Sequence, residues 1–218
     1  VKNPKWVIFP PLSYRRHIEI EKQQKEISAE FDAVSYNRIE GNSKLGIAAG
    51  GVTYAIVKDV LKALNAEEKV SLLKVGAVFP APDMLYKKFL ESAEKVLVLE
   101  ELDPVIETQL FHCMAKNNIT VSVSGKLDGV INPAGELKFD NIKAYLKVFL
   151  EIDCQDNEIT APIELPIRPP VLCAGCPHRA SFYAVKKAMK GKKAVFCGDI
   201  GCYTLGNAKP LDMVDTCL

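Results

Sequence analysis

The sequence predicts an α/β protein: a mostly parallel sheet with crossover helices over residues 42–152, then the start of a second α/β domain at 171–218. Three observations carry this. Short apolar runs alternate with helical patterns of roughly 10–15 residues, the rhythm of strands joined by crossover helices. Glycine or proline stands at the junctions between them. Finally, four prolines within 153–170 interrupt the rhythm and mark a linker, because proline removes backbone donors and favours extended chain.

Residues 1–41 form a lead-in. In it, "WVIFPP" (6–11) is an apolar run stopped by two prolines, and "SYRRHIEIEKQQKEISAEFD" (13–32) is a charged helix with Ser13 at the capping position. Its apolar residues Ile20, Ile27 and Phe31 stand seven and four apart, which leaves one narrow stripe to bury. "KLGIAA" (44–49) is the first strand, and Gly50-Gly51 turn it into the helix "VTYAIVKDVLKAL" (52–64), where Tyr54, Val57, Val60, Leu61 and Leu64 keep helical spacing. "VSLLKV" (70–75) is the second strand. The helix "PAPDMLYKKFLESA" (80–93) follows, opened by Pro82 and Asp83, which suit a first turn.

"KVLVLEE" (95–101) is the third strand, and Asp103-Pro104 opens the helix "PVIETQLFHCMAKN" (104–117). "ITVSVSG" (119–125) is the fourth strand, and "DNIKAYLKVFLEI" (140–152) closes the domain. Beyond the linker, "CPHRASFYAVKKAMKG" (176–191) is a helix ending at a glycine, and "KKAVFCGDIGCYTLG" (192–206) is a strand running into a glycine-rich turn. The chain opens without methionine and stops at "MVDTCL", so an interior piece of a longer protein is expected.

Composition excludes several classes. With 48% apolar and 25% charged residues the chain has the makings of an ordinary core. Net charge is +1 with lysines and arginines scattered, so nothing marks a surface for nucleic acid or an anionic membrane. Its longest apolar runs fall far short of the ~20 residues of a membrane span, and no signal peptide is visible. There are seven cysteines, and Cys173, Cys176, Cys197, Cys202 and Cys217 crowd the C-terminal end. A disulfide framework would spread them, so metal or redox chemistry in a reducing, cytoplasmic compartment is expected.

Cys173-x2-Cys176 precedes a helix, while Cys197 and Cys202 flank the turn "GDIG". Loops at the carboxyl ends of parallel strands can bring such ligands together. A thioredoxin-like dithiol leaves the other two cysteines unexplained. Haem attachment needs histidine directly after the second cysteine, where Pro177 stands instead. A structural zinc on Cys173, Cys176, Cys197 and Cys202 is chemically sound, an iron–sulfur cluster uses the same ligand type, and unliganded thiols are common in cores. Spacing does not choose among these.

A resemblance bears on the choice. "RPPVLCAGCPHRASFYAVKK" (168–187) with "CGDIGCYTLG" (197–206) resembles the opening of the thiamine-diphosphate domain in the large (alpha) subunit of the indolepyruvate branch of the 2-oxoacid:ferredoxin oxidoreductases. "GIAAGGVTYAIVKDVL" (46–61), "LLKVGAVFPAPDML" (72–85) and "VLVLEELDPVIETQL" (96–110) resemble the same subunit, in the same order. The resemblance implies that 42–152 is a transketolase C-terminal-like domain. It implies that Cys173, Cys176 and Cys202 are three ligands of a [4Fe–4S] cluster whose fourth lies beyond Leu218, and that Ile200, Gly201, Cys202 and Tyr203 line thiamine diphosphate.

It further implies an intact enzyme that oxidatively decarboxylates aryl 2-oxoacids such as indolepyruvate to acyl-CoA and reduces ferredoxin, with a smaller (beta) subunit as partner. The family's Mg²⁺ and diphosphate motif is expected past Leu218, so no catalytic residue is assigned here and the chain alone is expected to be inactive. Two rival readings are a zinc-stabilised four-cysteine module and an architectural subunit-docking module. Cys197 reads as a strand residue and Cys217 has no assigned role. Gly46, Gly50 and Gly51 miss the dinucleotide fingerprint spacing. "EELDP" (100–104) reads as a solvated acidic turn with a helix cap, His178 as either a cofactor-orienting or a helix-start residue, and His17 and His112 as helix residues without partners.

Overall fold

Strands that are apolar along their whole length can be buried only between two layers, and the computed structural model, which describes residues 9–153 and 165–217, builds that arrangement. The chain divides into two units, Val1–Gln155 and Asp156–Leu218. In the first, β1 (Arg38–Glu40), β2 (Leu45–Gly50), β3 (Ser71–Val75), β4 (Lys95–Leu99) and β5 (Ser122–Ser124) form one sheet in the order β1-β3-β2-β4-β5. Strands β2 to β5 are parallel to one another; Ile47 of β2 sits level with Leu72 of β3 and Leu97 of β4.

The alternation of side chains along β2 splits the core in two. Ile47 and Ala49 pack with α2 (Gly51–Ala63) and α5 (Phe139–Phe149) through Val57, Val60, Leu61, Ile142 and Leu146. Ala48 faces the other way, toward α3 (Asp83–Ser92) and α4 (Val105–Asn117), and meets Tyr86, Phe89, Leu90, Ile106 and Leu110. Each such aliphatic or aromatic side chain contributes about 1.5–3 kcal/mol when fully buried. Gly46 lets α3 come this close, since a Cβ there would lie 2.7 Å from the Phe89 ring.

The lead-in differs from its sequence reading. Helix α1 (Pro10–Phe31) begins at the prolines predicted to stop the preceding run, because a helix's first turn has no intrahelical use for the missing N–H. Phe9 is the N-cap, and Ser13 lies inside the first turn, its hydroxyl donating to the Pro10 carbonyl at 3.0 Å. Nor is the apolar stripe buried: no α1 residue is, Ile20 is 47% exposed, and only the end near Ile27 and Phe31 is half-covered. Strand β1 was not legible at three residues; it pairs antiparallel with β3 at the sheet edge. Of the 119–125 run, only Ser122–Ser124 is strand. The start of "WVIFPP" and residues 154–164 of the linker lie outside the described residues.

A polar cluster fastens β1. The Glu40 carboxylate accepts from Arg38 Nε (2.8 Å), the Tyr54 hydroxyl (2.6 Å) and Lys58 Nζ (3.0 Å). Arg38, Lys58 and Lys74 also stand 5.0–5.8 Å from the centre of the Tyr54 ring. Burial works to raise the Glu40 pKa, but hydrogen bonds from Tyr54, Lys58 and Arg38 prevail and bring it from 4.5 to about 2. A depressed folded pKa stabilises above the unfolded value, and that contribution is lost as pH falls from 4.5 through about 2. Screening of these partly exposed partners limits it to about 1 kcal/mol. Glu40→Gln is therefore expected to flatten the acid limb of a denaturation series between pH 5 and 2; an unchanged limb would show that Glu40 is not the titrating group.

The second unit is much smaller. It holds α6 (Pro177–Ala188) and two short parallel strands, β6 (Cys197–Gly198) and β7 (Thr216–Cys217). The apolar run predicted as a longer strand keeps only those two residues. Leu172, Phe182, Met213 and Val214 are its buried apolar side chains. Among the described residues, no helix is long and apolar enough to cross a membrane.

Candidate functional site

Everything the sequence singles out for cofactor or metal chemistry falls in the second unit. The stretch Cys173–Cys176 is a tight turn, with the Cys176 N–H donating to the Cys173 carbonyl at 3.2 Å. Gly175 has φ +69°, a left-handed position that suits glycine at the third residue of such a turn. Cys176 then caps α6 and Pro177 opens it. From the first turn of α6, Arg179 reaches back: Nε donates to the Cys173 carbonyl (3.2 Å) and Nη2 to that of Leu172. This guanidinium, passed over in the sequence, fixes the turn that carries both thiols. Cys173 is exposed and Cys176 half-buried, with Cys176 Sγ 3.3 Å from His178 Nδ1.

The second motif leaves β6 at Gly198 and turns through 199–203. The Asp199 carboxylate accepts the Ile200 N–H at 2.7 Å, and the Thr204 hydroxyl accepts that of Gly201 at 3.3 Å. Gly201 has φ +122°, and the space where a Cβ would stand is open, so the backbone there is bare on one side. Ile200 and Cys202 are exposed, and Tyr203 is half-exposed. Cys217 gains a place that spacing did not suggest. Its Sγ lies 3.8 Å from the Asp199 carbonyl and 3.6 Å from Thr204 Oγ1, so the β7 thiol supports the loop from beneath.

Aromatic rings join the two motifs. The rings of His178 and Tyr203 meet edge to face with centroids 5.2 Å apart, and Phe182 meets Tyr203 in the same way at 6.0 Å. Such pairs contribute about 0.5–1.5 kcal/mol beyond the area they bury. His178 thus touches the thiol of one motif and the tyrosine of the other. Gly206, at the end of the loop, lies against the Phe182 ring so tightly that a Cβ would be 2.6 Å from it.

Soft thiols suit zinc or iron–sulfur chemistry. Gly201 offers the bare backbone that a bound cofactor can approach. Among the described residues, however, no three His, Cys, Asp or Glu side chains are gathered closely enough to hold an ion. Cys173 and Cys176 share a turn, Cys202 stands beside Tyr203, and Cys197 is exposed on β6.

No family model matches the chain. Curated relatives do. The chain is 38% identical to the indolepyruvate oxidoreductase subunit IorA of Pyrococcus horikoshii, a match covering 99% of this chain and 34% of the relative. To the subunits of the same name from Methanothermobacter marburgensis and Archaeoglobus fulgidus it is 36% and 35% identical, over 98% and 91% of this chain and 36% and 32% of theirs. The chain therefore spans about a third of the length of the curated relatives it matches. Among solved structures, it is similar to a 2-oxoglutarate:ferredoxin oxidoreductase from Magnetococcus marinus (TM-score 0.44, 20% identity, 66% of this chain and 24% of that one). It is also similar to a split-gene transketolase (TM-score 0.41, 18% identity, 52% and 42%).

Proposed function

We propose that this chain, which belongs to the indolepyruvate oxidoreductase large-subunit family, supplies the scaffold domain and the first half of the cofactor site of an enzyme that oxidatively decarboxylates aryl 2-oxoacids. The observation that carries this is 33–38% identity to six IorA subunits along 91–99% of the chain. Residues 42–152 are assigned as the transketolase C-terminal-like scaffold, 153–170 as the linker and 171–218 as the start of the thiamine-diphosphate domain. Indolepyruvate is the substrate in this reading, with acyl-CoA and reduced ferredoxin as products and the smaller subunit as partner.

Cys173, Cys176 and Cys202 would hold three corners of a [4Fe–4S] cluster, and Ile200, Gly201, Cys202 and Tyr203 would line thiamine diphosphate. Mg²⁺ accompanies the diphosphate and has no ligand assigned among these residues. When bound, the thiamine supplies the centre for decarboxylation and the cluster a one-electron acceptor. The chain's own contribution is positional. Gly201 admits a close approach, Tyr203 is held upright by His178 and Phe182, and Arg179 keeps the Cys173–Cys176 turn closed.

The test is iron, zinc and acid-labile sulfide on protein purified without oxygen, from the 218-residue chain and from the full-length subunit. Iron with matching sulfide in the full-length subunit, lost in Cys202→Ser, supports the assignment. One zinc per 218-residue chain would replace it with a closed structural site on the four thiols. The 218-residue chain is expected to turn over no oxoacid, and measurable decarboxylation by it would overturn the division of labour.

A further inference from the structure

Strands β2 and β4 lie side by side, yet the helices that follow them leave for opposite faces of the sheet. Helix α2 packs with Ile47 and Ala49 on one face, and α4 packs with Ala48 on the other. The order of strands also reverses at this pair, since β3 lies on the far side of β2. Connections that diverge in this way open a crevice beyond the carboxyl ends of the strands, the place where parallel sheets take ligands. Here the crevice has a volume of about 280 Å³, at the small end of ligand pockets.

Two of its sides carry opposite electrostatics. One is the first turn of α2, where a helix presents N–H groups without intrahelical partners and the positive end of its dipole. No side chain caps this turn and no acidic residue lies in it, whereas the first turn of α4 is capped by Glu100. At Gly51 the space that a Cβ would occupy is open. The other side is the loop after β4. Its Glu101 and Asp103 line the crevice, and neither is paired with a cation among the described residues. Glu101 accepts the Leu137 N–H through one oxygen at 3.0 Å and keeps the second.

Thr53 is the observation that points to a ligand. It is 2% exposed and lines the crevice, and its hydroxyl has no hydrogen-bond partner among the described residues. Buried polar groups in native folds are almost always paired, so a buried hydroxyl left open beside an uncapped helix end has its partner outside the fold.

The lining itself selects the ligand. A lone anion would suit α2 but meet the carboxylates of Glu101 and Asp103, and a lone cation would meet the reverse conflict. A molecule with both charges on one carbon satisfies the two sides together, and Val78, Val105 and Ile106 offer apolar surface to a side chain. We propose that this crevice binds a free α-amino acid with an apolar side chain. Its carboxylate would rest on the first turn of α2 and the Thr53 hydroxyl, and its ammonium on Asp103 and Glu101. The site is built within the first unit alone, so it goes beyond the oxidoreductase reading and does not depend on it.

The experiment titrates L-leucine into the full-length subunit by calorimetry. Two analogues each carry half of the charge pair: 4-methylpentanoate lacks the ammonium and 3-methylbutylamine lacks the carboxylate. Saturable binding of L-leucine is expected, with each analogue at least about tenfold weaker. Asp103→Asn, at an exposed position, and Thr53→Val are each expected to weaken L-leucine at least about tenfold. Asp59→Asn, an exposed carboxylate further along α2, is the control and should bind as wild type does. Thr53→Val should also keep or raise the Tm, because the hydroxyl bonds nothing within the fold. No binding of L-leucine, wild-type affinity in either site variant, an analogue that binds as tightly as L-leucine, or a lowered Tm in Thr53→Val would overturn the assignment. The cofactor reading is judged separately by iron and sulfide content, so the two can fail independently.

Discussion

Glu107→Ala is expected to destabilise the Val1–Gln155 unit by about 2–3 kcal/mol, chiefly because it leaves the buried Lys126 amide and the part-buried Leu127 amide without their acceptor. Glu107 is 1% exposed, and its carboxylate accepts the N–H groups of Lys126 (2.8 Å) and Leu127 (3.1 Å). Gly125 lies over it so closely that a Cβ would stand 2.6 Å from the carboxylate oxygen, so the site cannot collapse onto a smaller side chain without moving the loop. A residual cavity adds to the lost hydrogen bonds.

Glu100 extends the same system by accepting the N–H groups of Ile106 (2.8 Å) and Glu107 (2.9 Å) at the start of α4. Burial pushes its pKa up against those hydrogen bonds, so the folded state holds this proton more tightly than the unfolded chain does. Its contribution is present in acid and is lost as pH rises through the folded value. Hydrogen exchange of the β2 and β4 amides measures the Glu107→Ala effect. Glu107→Gln, which retains one acceptor oxygen, should lose less, and equal protection in wild type and alanine variant would show that the loop re-satisfies its own amides.

Gly206→Ala is expected to unfold the small second unit while leaving the first intact. The new methyl would stand 2.6–2.9 Å from three Phe182 ring atoms, and Phe182 is one of only four buried apolar side chains described there. Overpacking typically costs about 1–3 kcal/mol, a large share of what so small a core can supply. Phe182 also supports Tyr203, so the loop bearing Cys202 should loosen with it. Loss of exchange protection in α6, with β2 and β4 unchanged, is the expected result. Full protection in α6 would mean that the ring turns aside at little cost. In the full-length subunit the same substitution should lower iron content.

The two units differ in how much of them is legible in the sequence. Strands β2, β3 and β4 and helices α2 to α5 stand within a few residues of their predicted bounds. Their periodicity is a record of burial, since residues facing a core recur at the pitch of the element that carries them. In the second unit the motifs were legible as spacing and resemblance, but their relation was not. The 5.2 Å contact of His178 with Tyr203 joins residues 25 positions apart, and Cys217 reaches the Asp199 loop from 18 positions away.

By itself the sequence determined the α/β class, the order along the chain of its central strands and helices, and where its cysteines crowd together. These depend on local pattern, and local pattern survives without a structure. Only the tertiary structure decided that the antiparallel edge strand β1 exists, that two prolines open α1, that Glu100 caps α4 from a buried and not a solvated position, and that Glu107 is buried against the loop after β5. It also decided that the buried Thr53 and the carboxylates after β4 border one crevice. Each of these turns on which distant backbone or side chain a residue meets. That depends on chain topology, and the identity of a residue and its near neighbours does not specify it.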